Sequence, residues 1–401
     1  MSTSPAELNP SSGPASRAVR RERLARALFA IVAGLVYLLA GPGQQDNDPF
    51  NPLAAALLQG RLSIAEPMPW IEGIPAPDGG WYAPLAPGPV LVLLPVVAVV
   101  GPHVLDSGIL SALGGALAVW LAWGLVRRVG ATPRQAAWLT VGLAFGSQLT
   151  WIATSGGPHN VEHALSMAAM LAALQLAISG RAPVAGGLLW SYAVACRVPI
   201  VLALPLFAWL YRRRVAAFVV GAAPIGAALA AYNVARFGNP FDFGLARITG
   251  GDPPVSVLDE PWYEHGIFAL EYLPRGLHTM LLRSFDLVAD PPWFRPNWTG
   301  TSILLTMPAL LWLWRARDRA FLVPWLTVGL VLVPDLLHGV SGFAQFGYRF
   351  ICDVLPILWW LLAWVVVRHG LTLGLRLALV AGIIVNVYGL VAVWGLGFVS
   401  Y

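Results

Sequence analysis

The chain has 401 residues, of which 57% are hydrophobic and only 11% charged, with a mean hydropathy of +0.68; this excludes an ordinary soluble domain and points to an integral membrane protein. The formal net charge is +5 and all 25 basic residues are Arg, but they gather at the ends of apolar runs instead of forming a stripe, so a nucleic-acid partner is not expected. Cys196 and Cys352, the two cysteines, lie inside apolar runs and define neither a disulfide framework nor a Cys-based metal site.

Met1 to Arg23 is Ser/Pro/Ala-rich and then basic, and reads as a cytoplasmic tail. The apolar stretch from about Leu24 to Ala40 has the length of a short spanning helix. A cleaved signal peptide competes with that reading. The rest of the chain is equally apolar and no small-x-small site precedes the next segment, which favours an uncleaved first helix.

An acidic, amide-rich segment follows, Gln44-Gln45-Asp46-Asn47-Asp48-Pro49-Phe50. Carboxylates are expensive beside hydrocarbon, so Asp46 and Asp48 are candidates for chemistry; the alternative is a solvated loop that ends a helix. Pro87 to Val100 is about 14 residues long and broken by Pro87, Pro89 and Pro95, which suits a re-entrant or interfacial helix better than a span.

Spanning runs are expected at about Ser107 to Val126, Ala136 to Thr154, Val161 to Ile178, Val215 to Val234, Thr301 to Trp314, Phe321 to Leu337, Ile351 to Val367 and Leu371 to Phe398. The run from Gly186 to Leu210 reads as two short helices hinged at Arg197-Val198-Pro199, since Pro199 removes a backbone donor and Arg197 needs water or a partner. The expected fold is an all-α polytopic membrane protein of about eleven spans, a single membrane domain over residues 24–401. Two long outer loops, about 41–106 and 236–300, carry juxtamembrane helices.

Arg placement sets the expected topology. With Pro87 to Val100 on the outer surface, Arg17 to Arg26, Arg127, Arg128, Arg134, Arg181, Arg212 to Arg214, Arg315, Arg317, Arg319, Arg368 and Arg376 all fall on the cytoplasmic side. Counting that stretch as a span would put Arg127 and Arg128 outside. Most acidic residues then lie outside, as do Trp70, Trp81, Tyr82, Trp262, Tyr263, Trp293 and Trp298. Such aromatics serve as interfacial anchors, or, with carboxylates and amides beside them, cover the apolar face of a sugar.

The pattern Asp46-Asn47-x-x-Phe50-x-x-x-Ala54-x-x-x-Leu58-x-Gly60-Arg61-Leu62 resembles the first-loop signature of membrane glycosyltransferases of the C superfamily, relatives of the protein O-mannosyltransferases and the lipid A aminoarabinose transferase. Asp46 matches directly. Asn47 stands where Glu is usual, which leaves a metal or second-carboxylate role to Asp48. Further similar segments follow in order: Gly79-Gly80-Trp81-Tyr82-Ala83-Pro84-Leu85-Ala86-Pro87-Gly88-Pro89, the hinge Tyr192 to Pro199, Phe237 to Gly244, and Gly347-Tyr348-Arg349-Phe350-x-x-Asp353-x-x-Pro356.

The resemblance implies transfer of a hexosyl or pentosyl unit from a polyprenyl-phosphate donor to a lipid, glycan or protein acceptor at the outer face of the plasma or inner membrane, with inversion. Asp46 would take the acceptor proton as general base, with Asp48 beside it. The lipid-phosphate leaving group needs cations or donors, for which Arg197 and Arg349 rank first, joined by His163 and Arg61. Arg349 has a structural alternative, pairing with Asp353 four residues on. His159 and His163 stand at i and i+4, but Glu162 between them is expected to point off their shared face, so a hydrogen-bonded cluster competes with a metal site. No cofactor is called for outright, and a divalent metal stays open. A lipid or solute transporter or flippase, or a lipid-linked polysaccharide ligase or polymerase, is the rival reading; a transporter should bury ionisable groups near the midplane and show a repeat.

Overall fold

The computed structural model describes residues 14–42, 48–66, 73–102, 105–250 and 255–399. Its regular structure is nearly all helical, as hydrocarbon demands, because a helix satisfies its backbone hydrogen bonds within one segment. The first helices are α1 (Pro14–Ala40), α2 (Phe50–Leu58), α3 (Gly88–Val100), α4 (Ser107–Arg128), α5 (Pro133–Phe145), α6 (Gln148–Ser155), α7 (Pro158–Ile178), α8 (Pro183–Cys196) and α9 (Leu204–Leu210). They continue as α10 (Val215–Phe237), α11 (Leu273–Leu281), α12 (Ile303–Thr306), α13 (Leu322–Leu337), α14 (Leu355–His369) and α15 (Leu373–Leu390).

Every expected apolar run is helical, yet among the described residues only six helical stretches are long and apolar enough to cross a membrane: Arg17–Ala40, α4, α7, α10, Arg319–Leu337 and Leu373–Gly395. The pair α5 and α6, bent by 52°, makes a seventh if it is one span. The remaining apolar runs are short. The 15 residues of α14 rise only about 22 Å at the α-helical pitch, less than a hydrocarbon core of about 30 Å. After Thr306 the chain tightens into 3-10 turns over Pro308–Arg315. The count of about eleven spans is therefore not confirmed, while the all-α polytopic architecture is.

The hinge expected at Arg197 is present. Arg197 has extended backbone (φ −142°, ψ 100°) and ends α8, and a 3-10 stretch, Val198–Ala203, leads into α9. The Tyr211 hydroxyl donates to the Arg181 carbonyl at 3.0 Å, so both arms return to the same end. Residues 183–210 thus form a helical hairpin with Arg197 at its tip.

Two ends of the bundle differ in kind. At one, arginines meet polar partners: Arg127 Nε lies 2.5 Å from Glu22, and Arg128 Nη1 donates to Gln175. At the other, the two long loops join. A hairpin pairs β1 (Ile74–Pro75) with β2 (Trp81–Tyr82), and β3 (Thr249–Gly250) pairs with β4 (Val255–Ser256). Gly73 and Thr249 exchange backbone hydrogen bonds of 2.8 and 2.9 Å, while Ile74, Tyr82, Ile248, Val257 and Tyr263 bury one another. The loops expected from separate stretches of sequence are one cap. Beneath it α2 lies on α3, and Phe50, Leu53, Val90, Leu93, Val161 and Cys196 share one apolar cluster. In the second loop the amphipathic α11 buries Gly276, Thr279 and Met280 and exposes Leu277.

Glycines in the helices allow close helix contacts. A Cβ on Gly115 would stand 2.5 Å from that of Ala153, and one on Gly187 would overlap the Phe218 carbonyl on α10. Gly187→Val should therefore destabilise the fold by about 1–3 kcal/mol or more, because backbone cannot yield as a side chain can. A lowered Tm of the detergent-solubilised protein measures this; an unchanged Tm refutes the contact.

Candidate functional site

A buried polar constellation sits at the loop-bearing end, built from four separate pieces of chain. Asp353 closes a 3-10 turn, Arg349–Asp353, just before α14. Its carboxylate accepts from Arg197 Nε at 3.2 Å and from Nη2 at 3.1 Å, and His163 Nδ1 of α7 lies 2.9 Å from Asp353 Oδ1. Arg197 Nη2 also reaches Asp335 Oδ1 of α13 at 3.5 Å. The side chains of His163 and Asp353 are fully buried, with Arg197 13% and Asp335 5% exposed. Charge in such a place is tolerated only where partners and hydrogen bonds replace water.

Phe350 lies at the centre of this group. Its ring is 5.4 Å from the Arg197 guanidinium and 5.5 Å from that of Arg349, so two cations are within reach of one ring. Arg349 Nη1 donates to the Phe343 carbonyl at 3.4 Å, and Phe343 stacks on Trp298 with centroids 4.3 Å apart. Trp262 meets Phe343 edge-on at 5.1 Å. Arg349 is thereby linked to the aromatic surface of the second loop.

The first loop reaches the same place through a glycine. A Cβ at Gly88 would be 2.5 Å from the nitrogen and sulfur of Cys196, so only glycine lets α3 start against the hairpin tip. Two residues earlier, Ala86 N donates to Glu162 Oε1 at 2.8 Å, and Glu162 Oε2 is 3.3 Å from His159 Nδ1. This corrects the expectation that Glu162 points off the histidine face: residues at i and i+3 are neighbours on a helix. The two histidines part, His159 to Glu162 and His163 to Asp353. Among the described residues no group of three His, Cys, Asp or Glu is placed to hold a metal ion.

The other expected site residues are placed differently. Asp46, with Asn47 and the aromatic Trp70, lies outside the described residues. Asp48 caps α2: Oδ1 accepts from Phe50 N at 2.9 Å, and Oδ2 from Asn51 Nδ2 at 2.5 Å. Asn51 Nδ2 also donates to the Leu105 carbonyl at 2.8 Å, which ties this cap to the start of α4. Arg61 is exposed, and its Nη2 donates to Gln59 at 2.7 Å. The structure thus gathers Arg197, Arg349 and His163 about Asp353 and Phe350, and leaves Asp48 and Arg61 in local contacts of the first loop.

Asp335 and His338 are missed by sequence reasoning, although a signal for the first existed: an ionisable residue after Pro334 in an apolar run. His338 follows α13 and lies within ring contact of Tyr263, Phe268 and Phe350. Burial first, then the positive charges of Arg197 and Arg349, depress its pKa to about 4. Outside the bundle, the Ser63 hydroxyl and the Gly80 amide hold Asp78 below the usual carboxylate range, which fastens the β1–β2 hairpin.

Comparisons with known proteins follow this geometry. Residues 44–213 match the family described as "Alpha-(1->6)-mannopyranosyltransferase, N-terminal domain", a stretch that contains Asp46, Asp48, Arg61, His163 and Arg197. The chain is 29% identical over 276 residues to alpha-(1->6)-mannopyranosyltransferase A of Mycobacterium tuberculosis, covering 64% of this chain and 50% of that protein. It spans about half the length of the curated relative it matches. No solved structure matches it. Over these stretches the chain is similar to alpha-(1->6)-mannopyranosyltransferases, and its long apolar helices are those of a multi-pass membrane protein.

Two outcomes test the constellation. Asp353→Asn should cost about 3–5 kcal/mol, since Arg197 stays buried with a poorer partner, and Arg197→Gln combined with it should add far less than the sum; additive losses in Tm would show that the two side chains are not coupled. For His338 the folded pKa lies below its unfolded value of 6.5, so its contribution to stability is complete above pH 6.5 and is lost as pH falls toward 4. His338→Gln should reduce the slope of Tm against pH between about pH 6.5 and 5, and an unaltered slope would count against a buried neutral imidazole.

Proposed function

We propose that this membrane protein is a glycosyltransferase that moves a sugar from a polyprenyl-phosphate carrier to a hydroxyl acceptor, on a lipid, glycan or protein of the cell envelope, at the outer membrane face. The reading is supported by one observation above others: Arg197 and His163, from distant parts of the chain, converge on Asp353 and Phe350, beside Arg349 of the same turn, at the end where both long loops meet. That end is opposite the arginine-rich helix termini, the side that the positive-inside rule assigns to the cytoplasm. The relative's name makes mannose the sugar to test first.

The chemistry asks for three things. An attacking hydroxyl must lose its proton, the bond from the anomeric carbon to the phosphate oxygen must break, and the departing phosphate must be stabilised. Asp46 is assigned the first task, as general base on the face of the sugar opposite the leaving group, which gives inversion. Asp48 fixes the start of α2. Arg349 and Arg197 supply positive charge to the departing phosphate, with Arg197 held in orientation by Asp353. His163 sets the Asp353 carboxylate from the other side. Arg61, on the first-loop surface, is assigned to the carrier phosphate at entry.

A transfer assay with polyprenyl-phosphate mannose tests the assignment. Asp46→Asn should lose at least about 100-fold in turnover, the scale of a general base, with Tm unchanged; wild-type turnover would remove Asp46 from this role. Asp48→Asn, which retains a good cap residue, should keep most of the activity. Arg349→Gln should raise KM for the donor or lower kcat without altering acceptor KM. Transport of lipid or solute by the reconstituted protein with no glycosidic product would instead establish the flippase reading.

A further inference from the structure

A second charged site lies at the opposite end of the bundle, where α1 enters against the last turns of α4. A cleft of about 310 Å³ is bounded there by Glu22, Arg23, Arg26, Trp123, Arg127 and Arg128, with Val19 and Gly124 completing it. Four arginines face one glutamate, and that glutamate is taken by Arg127, whose Nε and Nη2 donate to it at 2.5 and 3.1 Å. Two of the remaining guanidiniums are held by neutral groups. Arg26 Nε donates to the Trp120 carbonyl at 2.7 Å, with the guanidinium 3.4 Å over the Trp120 ring. Arg128 Nη1 donates to the Gly124 carbonyl at 3.3 Å and to Gln175.

Both of these cations converge on one residue. A Cβ at Gly124 would lie 2.5 Å from Gln175 Oε1 and 2.8 Å from Arg26 Nη2, while the Gly124 carbonyl and Gln175 both receive Arg128, so the two like charges meet around one small residue. Bringing guanidiniums together at a partly buried cleft is unfavourable unless an anion joins them, and their planar forks suit phosphate oxygens. The level is that of a membrane interface. On α1 the next turns expose Leu24 (60%), Leu28 (61%) and Ile31 (59%), and Trp120 is 40% exposed, the arrangement of an interfacial aromatic beside acyl chains. Only 11% of the apolar window of α1 is buried in the protein, so a ligand shared between Arg26 and Arg128 would fasten α1 to α4.

We infer that the cleft between α1 and α4 binds a phosphate group through Arg26 and Arg128, with Arg23 at its rim. The ligand is either the headgroup of an anionic phospholipid or phosphate free in solution. Two probes separate these sources: nanodiscs of mixed phosphatidylglycerol and phosphatidylcholine, with the lipid retained on the protein read by native mass spectrometry, and inorganic phosphate added to the detergent-solubilised protein, read by Tm. The variants are the double substitution Arg26→Gln with Arg128→Gln, the rim substitution Arg23→Gln, and Arg134→Gln as a control elsewhere on the same face.

Retention of phosphatidylglycerol several-fold above phosphatidylcholine, lost in the double variant, reduced in Arg23→Gln and kept in Arg134→Gln, establishes a lipid site. A phosphate-dependent rise in Tm lost in the same variants, without lipid selectivity, establishes a soluble phosphate. Should the double variant not fold, Arg23→Gln against Arg134→Gln decides. Equal retention and equal Tm response in wild type and cleft variants, or no response to either probe, overturns the proposal.

Discussion

The pairing of Arg197 with Asp353 is the interaction on which the loop-bearing end depends. Two opposite charges there are shielded from water, and each is stabilised chiefly by the other at 3.1–3.2 Å. Through that pair the hairpin tip is joined to the start of α14, and His163 and Asp335 bring in α7 and α13. Apolar packing in a bilayer has little directionality of its own, because lipid tails are as apolar as the helices. A buried ion cluster supplies direction: four elements meet in one register, and Phe350 is held where two guanidiniums reach its ring.

The same cluster explains how loops of ordinary polar composition become a defined surface. Gly88 seats the first loop against Cys196, one residue from Arg197, and Ala86 is fixed by Glu162. The second loop is tied to the first at Gly73 and Thr249, and to α13 by the bond from Ala269 N to the Leu337 carbonyl at 2.9 Å. Arg275 adds a donor to the Trp262 carbonyl at 3.2 Å, positioning an exposed aromatic beside Phe343. The cap is therefore continuous with the cluster beneath it, and a change at Asp353 should be felt at the aromatic surface through Phe350, Arg349 and Phe343.

Much of this was legible residue by residue. Arg197 was suspect because a guanidinium cannot rest unpartnered in an apolar run, and the hinge followed from Pro199, whose ring forbids a continuous helix. The two short helices on either side of that hinge were readable for the same local reason. The partners were not. Arg349 and Asp353 are four apart and invited a local pair, yet the contacts that hold Asp353 come from Arg197, 156 residues away, and from His163. Spacing along one helix carries no information about such a meeting.

By itself the sequence determined what depends on local chemistry: an all-helical membrane protein, its hinge, its two long loops and the ionisable residues too costly to bury alone. Length was harder, because proline and 3-10 turns shorten α14 and residues 303–315 below a full crossing, and a hydropathy pattern counts apolar residues without measuring their rise. Only the tertiary structure decided that two loops make one cap, that His159 and His163 serve different carboxylates, and that Arg197, Asp335 and Asp353 form one cluster. Those outcomes rest on contacts between residues far apart in the chain, where the desolvation of each charge is balanced by a partner that no local pattern can name.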